Sequence, residues 1–205
     1  SVLPKVLGLK SETKTGVSIS GKREGWLVCC GSVNPITVSQ MDHAERSGFI
    51  RIRLTPKEKL SKDYWSSSEG RKRILEIIDC AGSAEKMIID ANDPPGTDLT
   101  AQYTAEHCID KETERQSVSR SMGELTRALL ENGIHRTMMV VGGDTLLAFL
   151  SLINVQELKP LYEVLPGTVL SEFEKDGKAY RLISKSGGFG EPSLLTELDE
   201  KLNKS

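Results

Sequence analysis

The chain has 205 residues, enough for one domain with a substantial buried core. Hydrophobic residues make up 38% and charged residues 27%, a soluble globular profile, and with only 5% aromatics the core must be mostly aliphatic. Lys plus Arg (27) nearly balances Asp plus Glu (29), a formal charge of -2, which argues against broad electrostatic binding to nucleic acid or an anionic membrane but allows a small local basic site.

Residues 9–24 are polar and glycine-containing, and residues 1–24 read as a linker or tail entering a domain that spans 25–205. Within them Gly16-Val17-Ser18-Ile19-Ser20-Gly21-Lys22-Arg23 has the spacing of a phosphate-binding loop. Arg23 stands where a metal-binding Ser or Thr belongs, and no buried strand precedes it, so the stretch is set aside. Trp26 to Cys30 is a short apolar run between Gly25 and Gly31, which predicts a buried strand. Asn34 is a good N-cap and Pro35 a good first helical residue, so a helix is expected over 35–47, stopped by Gly48. A strand is expected over Ile50 to Leu54, a helix over Ser67 to Ala81 and a strand over Lys86 to Ala91. Residues 92–111 read as a loop with room for a short helix. The longest helix follows over Glu112 to Asn132. Then come a strand (Thr137 to Val141), a helix (Thr145 to Ile153), two strands (Leu161 to Phe173 and Ala179 to Ser184) and a last helix (Pro192 to Leu202). Strands alternating with helices imply an α/β fold of three layers, a mainly parallel sheet with helices on both faces. The last two strands have no helix between them and so add an antiparallel edge.

The four cysteines, Cys29, Cys30, Cys80 and Cys108, form no CxxC pair, which argues against a zinc site and suits a reducing cytosol. No apolar run of about 18 residues exists to span a membrane, and the first residues do not read as a signal peptide. A cytoplasmic location is therefore expected. His43, His107 and His135 stand in no catalytic pattern and read as structural or solvated.

In parallel sheets, ligands sit beyond the carboxyl ends of the strands. Three glycine-rich turns fall there: Gly31 to Thr37, Gly142 to Thr145, and Ser184 to Gly190. Each is expected to follow a strand and open a helix. Glycine lets a ligand approach the backbone, and a helix N-terminus presents free N–H groups to phosphate. Ser32, Thr145 and Ser186 add hydroxyl donors, and Lys185 adds a charge that can pair with phosphate. A branched residue at Gly143 or Gly187 is expected to abolish binding by blocking that approach. Asp144 has two readings, cap of the following helix or ligand of Mg²⁺. No GxGxxG precedes a helix, so a dinucleotide-binding reading is weak.

These turns resemble those of the four-carbon acid sugar kinases, ATP-dependent kinases of threonate, erythronate and 3-oxo-tetronate, whose C-terminal domain binds the nucleotide. Their GSCSPVT-like turn is matched by Gly31-Ser32-Val33-Asn34-Pro35-Ile36-Thr37, with Gln40 continuing it. Their GGET turn is matched by Gly142-Gly143-Asp144-Thr145, and their E-I-x-P-G segment by Glu163-Val164-Leu165-Pro166-Gly167. Their K-S-G-N-F-G turn is matched by Lys185-Ser186-Gly187-Gly188-Phe189-Gly190. Asn34, Asp144 and Gly188 depart from the family's Ser, Glu and Asn. The resemblance covers roughly residues 26–202.

It implies an ATP-binding domain with Mg²⁺, the nucleotide held by Ser32, Asn34, Gly142, Gly143, Asp144, Thr145, Pro166, Gly167, Lys185, Ser186, Gly187 and Gly188. It also implies that the sugar acid and the catalytic base belong largely to an N-terminal domain, of which residues 1–24 would be the tail, and it leaves a homodimer open. Glu163 is expected to fix the turn at Pro166-Gly167. A non-catalytic module that senses a nucleotide or metabolite is the rival reading, and the Asp144 and Gly188 departures would suit it.

Overall fold

A computed structural model describes residues 25–134 and 136–203. The proposed tail and the rejected phosphate-loop match lie outside the described residues, as does His135. Seven strands form one sheet: β1 (Trp26–Cys30), β2 (Ile50–Arg53), β3 (Lys86–Asp90), β4 (Thr137–Val141), β5 (Lys159–Leu165), β6 (Thr168–Lys175) and β7 (Lys178–Lys185). Their order is β2-β3-β1-β4-β7-β6-β5. β1 pairs in parallel with β3 and β4, β2 with β3, and β4 with β7. The pairs β5–β6 and β6–β7 are antiparallel, which makes the expected edge.

Among the described residues seven α-helices accompany the sheet: α1 (Pro35–Arg46), α2 (Pro56–Leu60), α3 (Ser68–Ser83), α4 (Leu99–Glu106), α5 (Lys111–Glu131), α6 (Gly143–Leu152) and α7 (Leu194–Asn203). Side chains alternate across a pleated strand, and so β1 supplies both cores. Leu27 and Cys29 face a core built with Ile77 of α3, Met122 and Leu125 of α5, and Phe149 of α6. Trp26, Val28 and Cys30 face the opposite core, with Met41 and Ala44 of α1 and Leu194, Leu195 and Leu198 of α7. Every residue of β1 is buried, as a central strand covered on both faces requires. The layered α/β architecture is the expected one.

Most expected elements fall within a few residues of those observed. Leu161 to Phe173 is an exception: it is two strands, broken at Pro166-Gly167, where Gly167 takes φ 73°. The short helix α2 and a 3-10 turn at Tyr64–Ser66 have no counterpart in the sequence reading. Helix α2 does carry a legible start signal. Thr55 accepts from Glu58 N–H, and Glu58 accepts from Thr55 N–H, a reciprocal capping box ahead of Pro56.

Two buried cations tie the sheet to the loops at its carboxyl end. The Arg51 guanidinium, 1% exposed, donates to Asp90 (2.9 and 2.5 Å) and to Asp42 and Glu45 on α1. Lys59, also 1% exposed, donates to the Ala91 carbonyl at 2.6 Å and to Asp93 at 2.7 Å. Replacing Asp90 by Ala removes the fully buried partner of Arg51, leaves that guanidinium to the partly exposed Asp42 and Glu45 and frees the Asn92 donors, at a cost of about 3 kcal/mol. The double variant Arg51→Met/Asp90→Leu is expected to recover much of that loss, because no buried charge remains. Urea denaturation midpoints of the parent and both variants provide the measurement.

Candidate functional site

The first turn leaves β1 at Gly31 and enters α1 through Asn34, whose Oδ1 accepts from Ile36 N–H at 2.9 Å. A relay of hydroxyls holds the turn. Asn34 N–H donates to Ser32 Oγ (3.4 Å), Ser32 Oγ to Thr37 Oγ1 (3.3 Å), and Thr37 Oγ1 to the Gly187 carbonyl (2.5 Å). Helix α1 thus grips the third turn directly. It does so again one turn on, where the buried Gln40 amide donates to the Phe189 and Glu191 carbonyls at 3.0 Å each.

From below, the first turn rests on β3. Asn92 Nδ2 donates to the Ser32 carbonyl at 3.0 Å and to Asp90 at 2.7 Å, which is the carboxylate held by Arg51. Cys30 lies beside them, with Sγ 3.6 Å from the same carbonyl. Burial, and then the Asp90 charge, push the Cys30 thiol well above its ordinary pKa, so it stays protonated and can donate. Cys29 is pushed up to about 11, mainly by burial. Both behave as the small core residues the sequence suggests.

The second turn is built on Gly142, with φ 112°. The positive φ therefore falls on Gly142 and not on Gly143. Gly143 is the first helical residue of α6, and nothing lies within 4 Å of where its Cβ would stand. A valine there would not strain the backbone; its branch would project into the open space of the cavity that Gly143 lines. No side chain caps α6. Asp144 does not cap it either: its carboxylate pairs with Arg115 on α5. The first N–H groups of α6 are thus left without a side-chain acceptor, the arrangement that favours an anion.

The third turn follows β7 but does not open a helix, since α7 begins only at Leu194. Lys185 is 3% exposed, and its ammonium donates to the Ser186 (2.9 Å) and Gly187 (3.4 Å) carbonyls. Burial lowers its pKa. Lys185 therefore shapes the turn from beneath.

A cavity of about 610 Å³ lies where the turns meet. Ser32, Asn34, Gly142, Gly143, Asp144, Thr145 and Gly187 line it. Pro166, Gly167, Lys185, Ser186 and Gly188 are not among its walls. Gly167 is linked to the third turn indirectly: Phe189 packs where a Cβ would stand, and Glu163 accepts from Gly167 N–H at 2.8 Å, which fixes that turn as expected.

Gly31 and Val33 complete the turns' share of the lining, and a further wall comes from α5, with Lys111, Glu114, Arg115, Val118 and Ser119, none of which the sequence reading singled out. Their spacing of three and four residues puts them on one helical face, and that periodicity was the available signal. Among the described residues, no group of three or more His, Cys, Asp or Glu could hold a metal ion. His107 stacks on Tyr103 (centroids 4.0 Å apart) away from this cavity.

A sequence profile of the nucleotide-binding C-terminal domain matches residues 27–195. The chain belongs to that domain family. This is the domain that the resemblance to the four-carbon acid sugar kinases implied. Among solved structures, it is similar to a Bordetella bronchiseptica domain of unknown function, crystallised with bound citrate as a domain-swapped dimer. That match has a TM-score of 0.63 and 18% identity over 87% of this chain and 40% of the other. A Haemophilus influenzae protein assigned to the same domain of unknown function matches with TM-score 0.70 and 16% identity, over 97% of this chain and 44% of the other. The chain thus spans less than half the length of either protein. No curated protein matches it.

At this site two glycines set the spacing of the turns. A Cβ on Gly31 would stand 2.1 Å from Thr145 Oγ1, and one on Gly187 would stand 2.5 Å from Ser32 Oγ. Gly31→Ala and Gly187→Ala are expected to force the turns apart and weaken nucleotide binding by about tenfold or more, the cost of misplacing several donors together. Far-UV circular dichroism should stay unchanged while titration calorimetry with Mg-ATP reports the loss.

Proposed function

We propose that this chain is the nucleotide-binding part of an ATP-dependent kinase that phosphorylates a four-carbon acid sugar of the threonate, erythronate or 3-oxo-tetronate type. The observation that carries the reading is the convergence of three strand-end turns on one cavity beside a helix N-terminus that no side chain caps. Such a site presents backbone N–H groups and a positive dipole end to phosphate oxygens. The site residues are Ser32, Asn34, Gly142, Gly143, Asp144, Thr145 and Gly187 at the cavity, with Lys185, Ser186, Gly188, Pro166 and Gly167 shaping the third turn and its neighbouring hairpin.

Mg²⁺ fits this donor set in one way only. Of the two carboxylates at the cavity Asp144 is the more exposed, while Glu114 is held by Lys111, and Mg²⁺ is commonly held by one or two carboxylates together with the nucleotide's phosphates. Bound there, the ion would neutralise phosphate charge. The chain's own part is to hold the nucleotide by backbone donors from the turns and to orient its terminal phosphate toward the open side of the cavity.

The wall cations Lys111 and Arg115 are both engaged by carboxylates, which leaves neither unpaired for a small carboxylate acceptor. Acceptor and base would come from the rest of a longer protein, closing over the nucleotide in the cytoplasm, with a homodimer as the assembly to test. The pairing of Asp144 with Arg115 favours one rival, a module that binds nucleotide without transferring phosphate.

Calorimetry with Mg-ATP is expected to show binding in the micromolar to millimolar range. Absence of heat and of thermal stabilisation at millimolar nucleotide would refute the reading. A coupled ADP-release assay on the isolated chain with threonate, erythronate and their 3-oxo relatives is expected to show no turnover. Turnover at ordinary kinase rates would place the acceptor site in this chain. ATP binding without kinase activity in the longer protein would favour the rival.

A further inference from the structure

The charges around the cavity sum to zero and are already paired. Two cations line it, Lys111 and Arg115, together with two acids, Glu114 and Asp144. Lys111 bonds Glu114 at 2.9 Å. Arg115 bonds Asp144, and it also bonds Glu112 at 2.9 Å through its other terminal nitrogen. The nearby Lys185 is buried against carbonyls. A polyphosphate entering this space therefore meets no unpaired cation along the walls, and it meets two carboxylates that repel it.

A pair must open, and the two candidates differ. Lys111 is 83% exposed, and its partner Glu114 is one of α5's own residues, so opening that pair changes little at the α6 terminus. Arg115 and Asp144 are each about half exposed, 56% and 54%, so both can turn without unpacking the core. Asp144 also sits in the first turn of α6, where its negative charge occupies the positive end of the helix that a phosphate would use.

We propose that Arg115 exchanges partners on binding. In the nucleotide-free chain it holds the Asp144 carboxylate, and on binding it passes to the phosphate oxygens, leaving Asp144 to the divalent cation that arrives with the nucleotide. The pair thus couples the two ligands: the cation supplies the charge that Arg115 withdraws from Asp144. This inference rests on the nucleotide-binding reading above. It adds that metal and nucleotide strengthen each other through this one ion pair. Planar, bidentate and permanently charged, Arg suits either partner, whereas Lys offers only a point charge to each.

The test is titration of ADP with EDTA and of ADP with Mg²⁺ into the parent chain, Asp144→Asn, Arg115→Gln and the control Arg120→Gln. Arg120 lies on the same helix but away from the cavity, paired with Glu124 and Asp63. For Asp144→Asn, metal-free ADP is expected to bind about fivefold tighter, because Arg115 is freed and a repelling charge is gone. Its gain from Mg²⁺ should collapse, within the range of coupling factors known for linked ligands. For Arg115→Gln both forms should bind about tenfold more weakly or worse, and Arg120→Gln should match the parent.

A merely structural pair bracing α5 against α6 gives a different result, since both variants would then weaken both forms. That outcome, or an unchanged Mg²⁺ gain in Asp144→Asn, overturns the exchange while leaving nucleotide binding intact. If the parent chain binds neither form of ADP, the nucleotide-binding reading itself falls and the exchange falls with it.

Discussion

The site depends on how closely three backbone turns approach one another. At Gly31 and Gly187 the gap between neighbouring turns is smaller than a methyl group. Thr145, 1% exposed, fills the space beside Gly31, and the Ser32–Thr37–Gly187 relay fills the space beside Gly187. Because the contact runs backbone to side chain at both places, the turns cannot shift independently. The parallel register of β3, β1, β4 and β7 delivers their carboxyl ends side by side, and the glycines then permit the last approach.

Buried ions hold this assembly in register. The chain Arg51–Asp90–Asn92 ends on the Ser32 carbonyl, so an edge-strand guanidinium fixes the first turn through two intermediates. Lys59 does the same for the residues just beyond β3, binding the Ala91 carbonyl and Asp93. Burying such charges contributes little net stability, since desolvation offsets most of the Coulomb attraction. Their value is directional. Each guanidinium or ammonium satisfies several acceptors at set angles, and an apolar substitute would leave those acceptors free to turn.

Much of the fold was legible in the sequence because hydrophobic pattern and punctuation agree there. Trp26 to Cys30 and Thr137 to Val141 are continuous apolar runs ended by glycine, as strands buried on both faces must be. The cavity residues that the first two turns contribute were legible for the same reason, since they follow the ends of those strands. The misses share a cause: local signals name the turn but not its neighbours. Pro166-Gly167 breaks the stretch Leu161 to Phe173 into a hairpin, a turn signal that outweighs the apolar pattern on either side of it. Lys185 carries a charge suited to phosphate, yet its long stem turns inward to its own turn's carbonyls. Lys111 and Arg115 look like an ordinary solvated helix start, and only the packing of α5 beside α6 brings them to the cavity. Thr55 to Glu58 did carry a readable capping box, which a search for long periodic segments passes over.

The cations of this region fall into two groups by burial. Arg51, Lys59 and Lys185 are enclosed, each bound to carbonyls or carboxylates that give the backbone its shape. Releasing any of them would expose desolvated acceptors, so they are effectively part of the frame. Lys111 and Arg115 sit in solvent, in ion pairs of the exposed kind that contribute little to stability. A low cost of opening is what a binding charge needs, because whatever holds it beforehand is subtracted from its affinity for the ligand. Placing the strong pairs beneath the turns and the weak pairs at the cavity lets one region be rigid in its backbone and changeable in its charge. That division follows from depth alone: the same ion-pair chemistry serves as frame where water is excluded and as an exchangeable contact where water competes.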